Sequence, residues 1–328
     1  MATTKLKKIA VLCSGGDAPG MNAAIRSVIR TAAYYNIESY GVMRGYTGLI
    51  SGDIVKMGPR SVSNIIDKGG TIIKTARCPE FLEERYQKKA VNNLKKKDID
   101  GLVVIGGNGS FKGAHILSSK WKVRTVGVPG TIDNDLQGTD FTVGADTAVN
   151  TALGAIDKIR DTATSLERIY IVEVMGRDSD FIPLRVALSG GAEDVLVHDT
   201  EHKIDQMCED IKKGRRKGKI SWIIVVAEGI AGGHEVGRLI REGTGFDTRV
   251  VVLGHIQRGG SPTAYDRMLA SRLGAAAIEA LIAGETDKMA GIKGDDTVLV
   301  PFTVAVKPGR KQEKLDREIY KIIRIMAT

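Results

Sequence analysis

Val128-Pro129-Gly130-Thr131-Ile132-Asp133-Asn134-Asp135 closes a short apolar run with a hydroxyl and two carboxylates one residue apart. A carboxylate in such a loop can take a proton from an attacking hydroxyl, and neighbouring oxygens can hold a hard cation. Asp133 is therefore the leading catalytic candidate. The same residue types also make ordinary turns, because Pro fixes one backbone angle while Gly, Asn and Asp tolerate unusual ones. The surrounding sequence has to separate the two readings.

Other stretches carry complementary chemistry. Ser14-Gly15-Gly16-Asp17-Ala18-Pro19-Gly20 and Gly106-Gly107-Asn108-Gly109-Ser110 each follow an apolar run and precede a helical pattern. Glycines there let the backbone approach a ligand, and the helix start that follows favours negative charge, so both loops suit phosphate. Arg77 faces either a phosphate or solvent. Met175-Gly176-Arg177, Glu228-Gly229 and Gly254-His255-Ile256-Gln257-Arg258 end three further apolar runs. Arginines and a histidine at several strand ends suit a phosphorylated, hydroxyl-rich ligand. The basic cluster from Lys212 to Lys219 reads as a solvated helix end that can also take an anionic effector. His198 and His202 have helical i, i+4 spacing but no HExxH pattern, and no metal role is assigned to them.

The elements that must position these residues alternate. Buried strands are expected at Ile9–Leu12, about Ser39–Met43, Gly101–Ile105, Thr125–Val128, Arg168–Val174, Ile220–Ala227 and Arg249–Leu253, with helices between most of them. Thr164-Ser165 reads as a turn, and Ser261 as the cap of a helix to about Leu281. This is an α/β pattern, and in open parallel sheets ligands collect beyond the carboxyl ends of the strands. With 328 residues two lobes are the natural expectation.

Composition narrows the function. The net charge of +9 suits anionic partners. The basic residues are dispersed and the aromatics sparse, which argues against nucleic-acid binding. Cys13, Cys78 and Cys208 are too far apart for a disulfide framework or a local zinc site, so a reducing cytoplasm is expected. No run reaches the ~18 apolar residues of a membrane span, and residues 1–8 hold no apolar signal segment.

Taken together, Ser14 to Arg26, Gly69-Gly70-Thr71 to Arg77, Gly106 to Ser110, Pro129 to Asp135, Val174 to Arg177 and Leu253 to Pro262 resemble the bacterial ATP-dependent 6-phosphofructokinases in order and spacing. The resemblance implies two three-layer α/β/α lobes with largely parallel sheets: 1–143 with 257–307 for ATP, and 144–256 with 308–328 for fructose 6-phosphate. It implies transfer of the ATP γ-phosphoryl group to the sugar 1-hydroxyl with Mg²⁺, as a cytoplasmic glycolytic step. Asp133 matches the general base, Asp135 and Asn108 the metal positions, Thr131 and Arg177 groups around the transferring phosphate and the sugar, where Asp133 also meets the substrate, and Arg77 the arginine that steadies developing charge. Gly16, Arg77, Cys78, Gly107, Asn108, Gly109 and Ser110 match the nucleotide site. Met175, Gly176, Arg177, Glu228, His255 and Arg258 match the sugar-phosphate site, completed by Arg168 and Arg249 from a neighbouring subunit of a homotetramer. Arg26, Arg30, Arg160, Glu193, Lys217 and Lys219 match a site for ADP and phosphoenolpyruvate effectors.

Several positions depart from that pattern. Asn108 stands where relatives carry an aspartate that serves the metal-nucleotide, so weaker Mg²⁺ binding and lowered activity are expected. Pro59 replaces an effector-site arginine, with Arg60 beside it. Asp180 replaces a small residue and should crowd the substrate loop. Two alternatives stay open: a catalytically weak regulatory subunit, motivated by Asn108, and a pyrophosphate-dependent phosphofructokinase. Gly109 and Gly130 oppose the latter, since that enzyme typically carries Asp and Lys there.

Overall fold

The computed structural model of the protein describes residues 6–198, 204–308 and 313–327. The chain divides into two compact units, Met1–Thr147 with Arg258–Lys311 and Ala148–Gln257 with Gln312–Thr328.

The first unit begins with β1 (Lys8–Ser14), α1 (Met21–Tyr34), β2 (Glu38–Val42), α2 (Gly45–Ser51) and β3 (Ile54–Met57). It continues through α3 (Glu84–Lys96), β4 (Gly101–Gly106), α4 (Asn108–Ser119) and β5 (Arg124–Pro129). α5 (Ala145–Leu166) then leads out of it. The second unit holds β6 (Ile169–Val174), α6 (Phe181–Ser189), β7 (Asp194–Leu196), α7 (Ile204–Arg216), β8 (Trp222–Ala227), α8 (Gly233–Thr244) and β9 (Thr248–Val252). The chain returns with α9 (Ala264–Ile282), β10 (Lys288–Lys293), β11 (Asp296–Pro301) and α10 (Phe302–Ala305), and α11 (Glu313–Met326) belongs to the second unit.

In the first unit the sheet order is β11-β10-β5-β4-β1-β2-β3. Its interior pairs are parallel, and the outer strands β3 and β11 are antiparallel. Alternate residues of a strand point to opposite faces. Ala10, Leu12, Leu102 and Val104 accordingly share one core with Phe111 and Phe302, while Ile9, Val11, Val103 and Ile105 are fully buried on the other face, where α1 and α9 pack. Burial on both faces is why these strands read as continuous apolar runs. The second sheet, β7-β8-β6-β9, is wholly parallel, with Ile169, Ile171, Ile224 and Val226 in its core.

Two local expectations are corrected. Thr164-Ser165 is helical, and α5 runs on to Leu166. The Ser165 hydroxyl donates to the Asp161 carbonyl at 2.8 Å, the back-bond by which serine sits inside a helix. Thr263, not Ser261, caps α9: its Oγ1 accepts from the Asp266 N–H, while the Ser261 hydroxyl donates to the Asp67 carbonyl.

Candidate active site

Strand register brings the first unit's loops together. Ser14 pairs with Gly106, and Gly106 with Pro129, so the loops after β1, β4 and β5 leave the sheet side by side at its carboxyl edge. Gly106 is required there, since a Cβ would lie 2.4 Å from the Ser110 hydroxyl and 2.6 Å from the Ser14 carbonyl. Gly15, at φ +89, turns the first loop through a conformation that side chains resist.

The loop after β5 is tied at several points. The Gly130 N–H donates to the Gly106 carbonyl at 3.0 Å, and the Val143 N–H to the Pro129 carbonyl at 2.9 Å. The Thr142 hydroxyl donates to the Thr131 carbonyl, and the Asp133 N–H reaches the Thr131 hydroxyl at 3.3 Å. Asn134 takes a left-handed conformation at φ 48, and its amide donates to the Asp140 carbonyl. Asp133 and Asp135 are both half-buried, whereas Asn134 between them is buried. The turn therefore has the work of presenting alternate residues, and the turn and site readings are compatible.

One cavity of about 460 Å³ collects the expected residues of this unit: Gly16, Arg77, Cys78, Gly107 to Ser110, Thr131, Asp133 and Asp135. Arg258, expected among the sugar-phosphate residues, also lines it, donating to the Asp17 carbonyl at 3.2 Å. The Asn108 amide donates to Oδ2 of Asp135 at 2.7 Å. Residues not singled out in the sequence complete the wall, chiefly Tyr46, Phe81, Lys112 and Ile116. The rings of Tyr46 and Phe81 stack with centroids 4.2 Å apart, and the Tyr46 hydroxyl donates to the Ser110 carbonyl. Burial pushes the Tyr46 phenol up, which keeps it a neutral donor. Burial likewise raises the Cys78 thiol, so Cys78 contributes shape rather than thiolate chemistry.

The cavity also answers two questions about ligands. A Cβ at Gly109 would meet nothing within 4 Å, so the glycine leaves open space at the cavity edge. Among the described residues no cluster of three or more His, Cys, Asp or Glu side chains can hold a metal. The oxygens of Asp135 and Asn108 nevertheless fit Mg²⁺ as it is usually held, by one or two side chains with substrate phosphates supplying the rest.

In the second unit, Val174 pairs with Ala227 and Glu173 with Val252, so the loops carrying Met175 to Arg177, Glu228 and His255 leave the same sheet edge. Gln257 is fully buried, and its side-chain oxygen accepts from the Met175 N–H at 3.3 Å. Arg168 and Arg249 stand apart from these loops, toward the amino ends of β6 and β9, and share Asp247 at 2.8 and 3.1 Å. Within this unit, Glu193 lies 3.9 Å from Arg160 and 3.5 Å from Lys219. Glu193, Lys217 and Lys219 line a separate cavity of about 510 Å³, walled by Trp222 and Arg324. Arg26 and Arg30 lie on α1 of the first unit, Arg30 exposed; Pro59 and Arg60 are exposed too. His198 follows β7 and is not helical, which removes the i, i+4 geometry; His202 lies outside the described residues.

Glycine loops at adjacent strand ends, an aromatic-walled cavity and a carboxylate loop beside them fit a nucleotide-handling phosphotransferase of the α/β class. The chain belongs to the phosphofructokinase family, whose model matches residues 8–281. An ATP-dependent 6-phosphofructokinase of Halalkalibacterium halodurans is 53% identical over 317 residues, covering 97% of this chain and 98% of the relative. One from Clostridium acetobutylicum is 56% identical over 288 residues, covering 88% and 90%. Among solved structures, a Saccharomyces cerevisiae phosphofructokinase is similar at TM-score 0.85 and 33% identity, over 98% of this chain and 47% of that longer one. A pyrophosphate-dependent phosphofructokinase from Nitrosospira multiformis, 21% identical with a TM-score of 0.83 over 97% of this chain and 92% of that one, shares the fold.

Proposed function

We infer that the chain transfers the γ-phosphoryl group of ATP to the 1-hydroxyl of fructose 6-phosphate, giving fructose 1,6-bisphosphate and ADP. The observation that carries this reading is the single cavity lined by both glycine loops, Arg77 and Asp133, in a chain whose curated relatives of about half-identical sequence are ATP-dependent 6-phosphofructokinases. The loops after β1 and β4 hold the triphosphate through backbone N–H groups, and the Tyr46–Phe81 wall takes the base. Asp133 accepts the proton of the attacking hydroxyl, and Arg77, exposed at the cavity edge, meets charge developing on the γ-phosphoryl oxygens. Asp135 and Asn108, with the nucleotide phosphates, would hold Mg²⁺, which would supply charge neutralisation on those phosphates.

Fructose 6-phosphate is held by Met175, Gly176, Arg177, Glu228 and His255. The separation of Arg168 and Arg249 from the Arg177 loop within one sheet supports their service to the 6-phosphate site of a neighbouring subunit, in an assembly we take to be a homotetramer. Arg160, Glu193, Lys217 and Lys219, grouped in the second unit, serve the effector site for ADP and phosphoenolpyruvate. Three free cysteines suit a reducing cytoplasm, and among the described residues no helix is long and apolar enough to cross a membrane.

ATP is favoured over pyrophosphate by the open space at Gly109, where an acidic side chain would repel the α-phosphate. A donor assay with fructose 6-phosphate tests this: turnover with ATP and none with pyrophosphate is expected, and the reverse would overturn it. A second reading, a weakly catalytic regulatory subunit, draws on the Asn108–Asp135 hydrogen bond, which engages the only carboxylate of the metal pair.

A further inference from the structure

The loop that carries Arg177 is held at its backbone by residues from the start of α6 and the end of β7. Asp180, at the start of α6, has a side chain only 3% exposed, and it faces inward to His198 beyond β7. Its carboxylate is turned to His198. One Asp180 oxygen, Oδ1, accepts from the His198 backbone N–H at 3.1 Å and lies 2.6 Å from ring Nδ1. Ring Nε2 of His198 stands 3.0 Å from the backbone carbonyl of Arg177. A carbonyl oxygen can only accept, so Nε2 is the donor in that contact, while Nδ1 faces the carboxyl oxygen. The imidazole thus bridges a buried acid to the main chain of Arg177.

Gly229 closes the same carbonyl from another direction: a Cβ there would fall 2.1 Å from it, so no other residue fits. The Gly229 N–H also donates to the Gly176 carbonyl at 3.3 Å. The Arg177 peptide is thereby fixed by one donor from β7's end and by close backbone packing from β8's end.

We propose that Asp180 and His198 are a positioning pair that sets the Arg177 main chain and through it the affinity for the sugar phosphate. This rests on the reading of Arg177 as a sugar-phosphate ligand. Asp180 orients the ring, as a carboxylate orients the far nitrogen of many working histidines. His198 then delivers one hydrogen bond to the loop. Neither residue touches substrate.

Side-chain amides of two lengths separate the two contacts. His198→Asn keeps a donor near the Nδ1 position and loses the one to Arg177, whereas His198→Gln keeps a donor near Nε2 and loses the one to Asp180. Steady-state kinetics on the full chain should show the fructose 6-phosphate KM raised about tenfold in His198→Asn and within about threefold of the parent in His198→Gln. The ATP KM should stay near the parent's in both. Asp180→Ala, compared with Asp180→Asn, supplies a second arm should the first variant not fold: the alanine frees the ring and raises the same KM, and the asparagine, which keeps the acceptor, restores it. Equal effects of the two amides at 198, or an ATP KM that moves as far as the sugar-phosphate KM, would overturn the pair's positioning role. A parent that does not phosphorylate fructose 6-phosphate at all would instead remove the reading of Arg177 on which the pair depends.

Discussion

The Asn108 side-chain amide donates to Oδ2 of Asp135 across 2.7 Å, joining the start of α4 to the loop after β5. An aspartate at 108 would bring two carboxylates to that distance, a repulsive arrangement until a cation enters. Asn108→Asp should therefore lower the thermal midpoint without Mg²⁺ and recover it when Mg²⁺ and nucleotide are added. Its Mg²⁺ half-saturation in the kinase assay should fall several-fold below the parent's. Melting curves with and without Mg²⁺ and a magnesium titration of activity check both; an unchanged titration curve would remove Asn108 from the metal site. A silent parent beside an active variant would favour the regulatory-subunit reading.

Because Asn108 brings no charge, Asp135 is the one anionic side chain of the pair. Asp135→Asn should leave the hydrogen-bonding shape nearly intact and reduce kcat by about 100-fold or more, the scale of losing a group that stabilises charge in the transition state. Turnover at saturating ATP and Mg²⁺ measures this. Parental turnover would show that the two aspartates do not divide the roles of base and metal ligand.

Asp266, fully buried at the start of α9, accepts from the Gly144 and Thr147 N–H groups and the Thr147 hydroxyl. Burial pushes its carboxyl from an ordinary 3.8 up to about 6, against the lowering effect of those donors. A raised folded-state value means that the native protein binds the proton more tightly than the unfolded chain does. The contribution is fully present below the ordinary value and is lost as pH rises through about 6, worth up to about 3 kcal/mol across that window. The stability of the parent relative to Asp266→Asn should accordingly decline between about pH 4 and about pH 7. Denaturation midpoints of both proteins across that range test the sign, and a difference that grows with pH would contradict it.

How much of this was legible in the chain depends on the range of the interaction. The loops after β1, β4 and β5 stand out because strands buried on both faces read as apolar runs, and glycines mark their ends. The edge strand Ile54–Met57 did not, since its middle residues Val55 and Lys56 are exposed and it is only four residues long. The strands β10 and β11 escape the sequence pattern for a related reason: Gly291 and the exposed residues of β11 break the apolar run. Tyr46 and Phe81 look like core aromatics in one dimension, and only the fold shows them walling the cavity. The Asp180–His198 contact joins residues 18 apart across a helix and a strand, so neither residue's neighbours announce it. Thr263 outcompeted Ser261 as a cap because Ser261 is engaged by the Asp67 carbonyl.

Asp133 is the proposed base that takes the sugar's proton. The most direct measurement is the steady-state kinetics of Asp133→Asn with ATP and fructose 6-phosphate. Loss of a general base predicts a kcat lower by about 10²- to 10⁴-fold, with both KM values within a few-fold of the parent's. A variant that turns over within tenfold of the parent would contradict the assignment and move proton abstraction to another group.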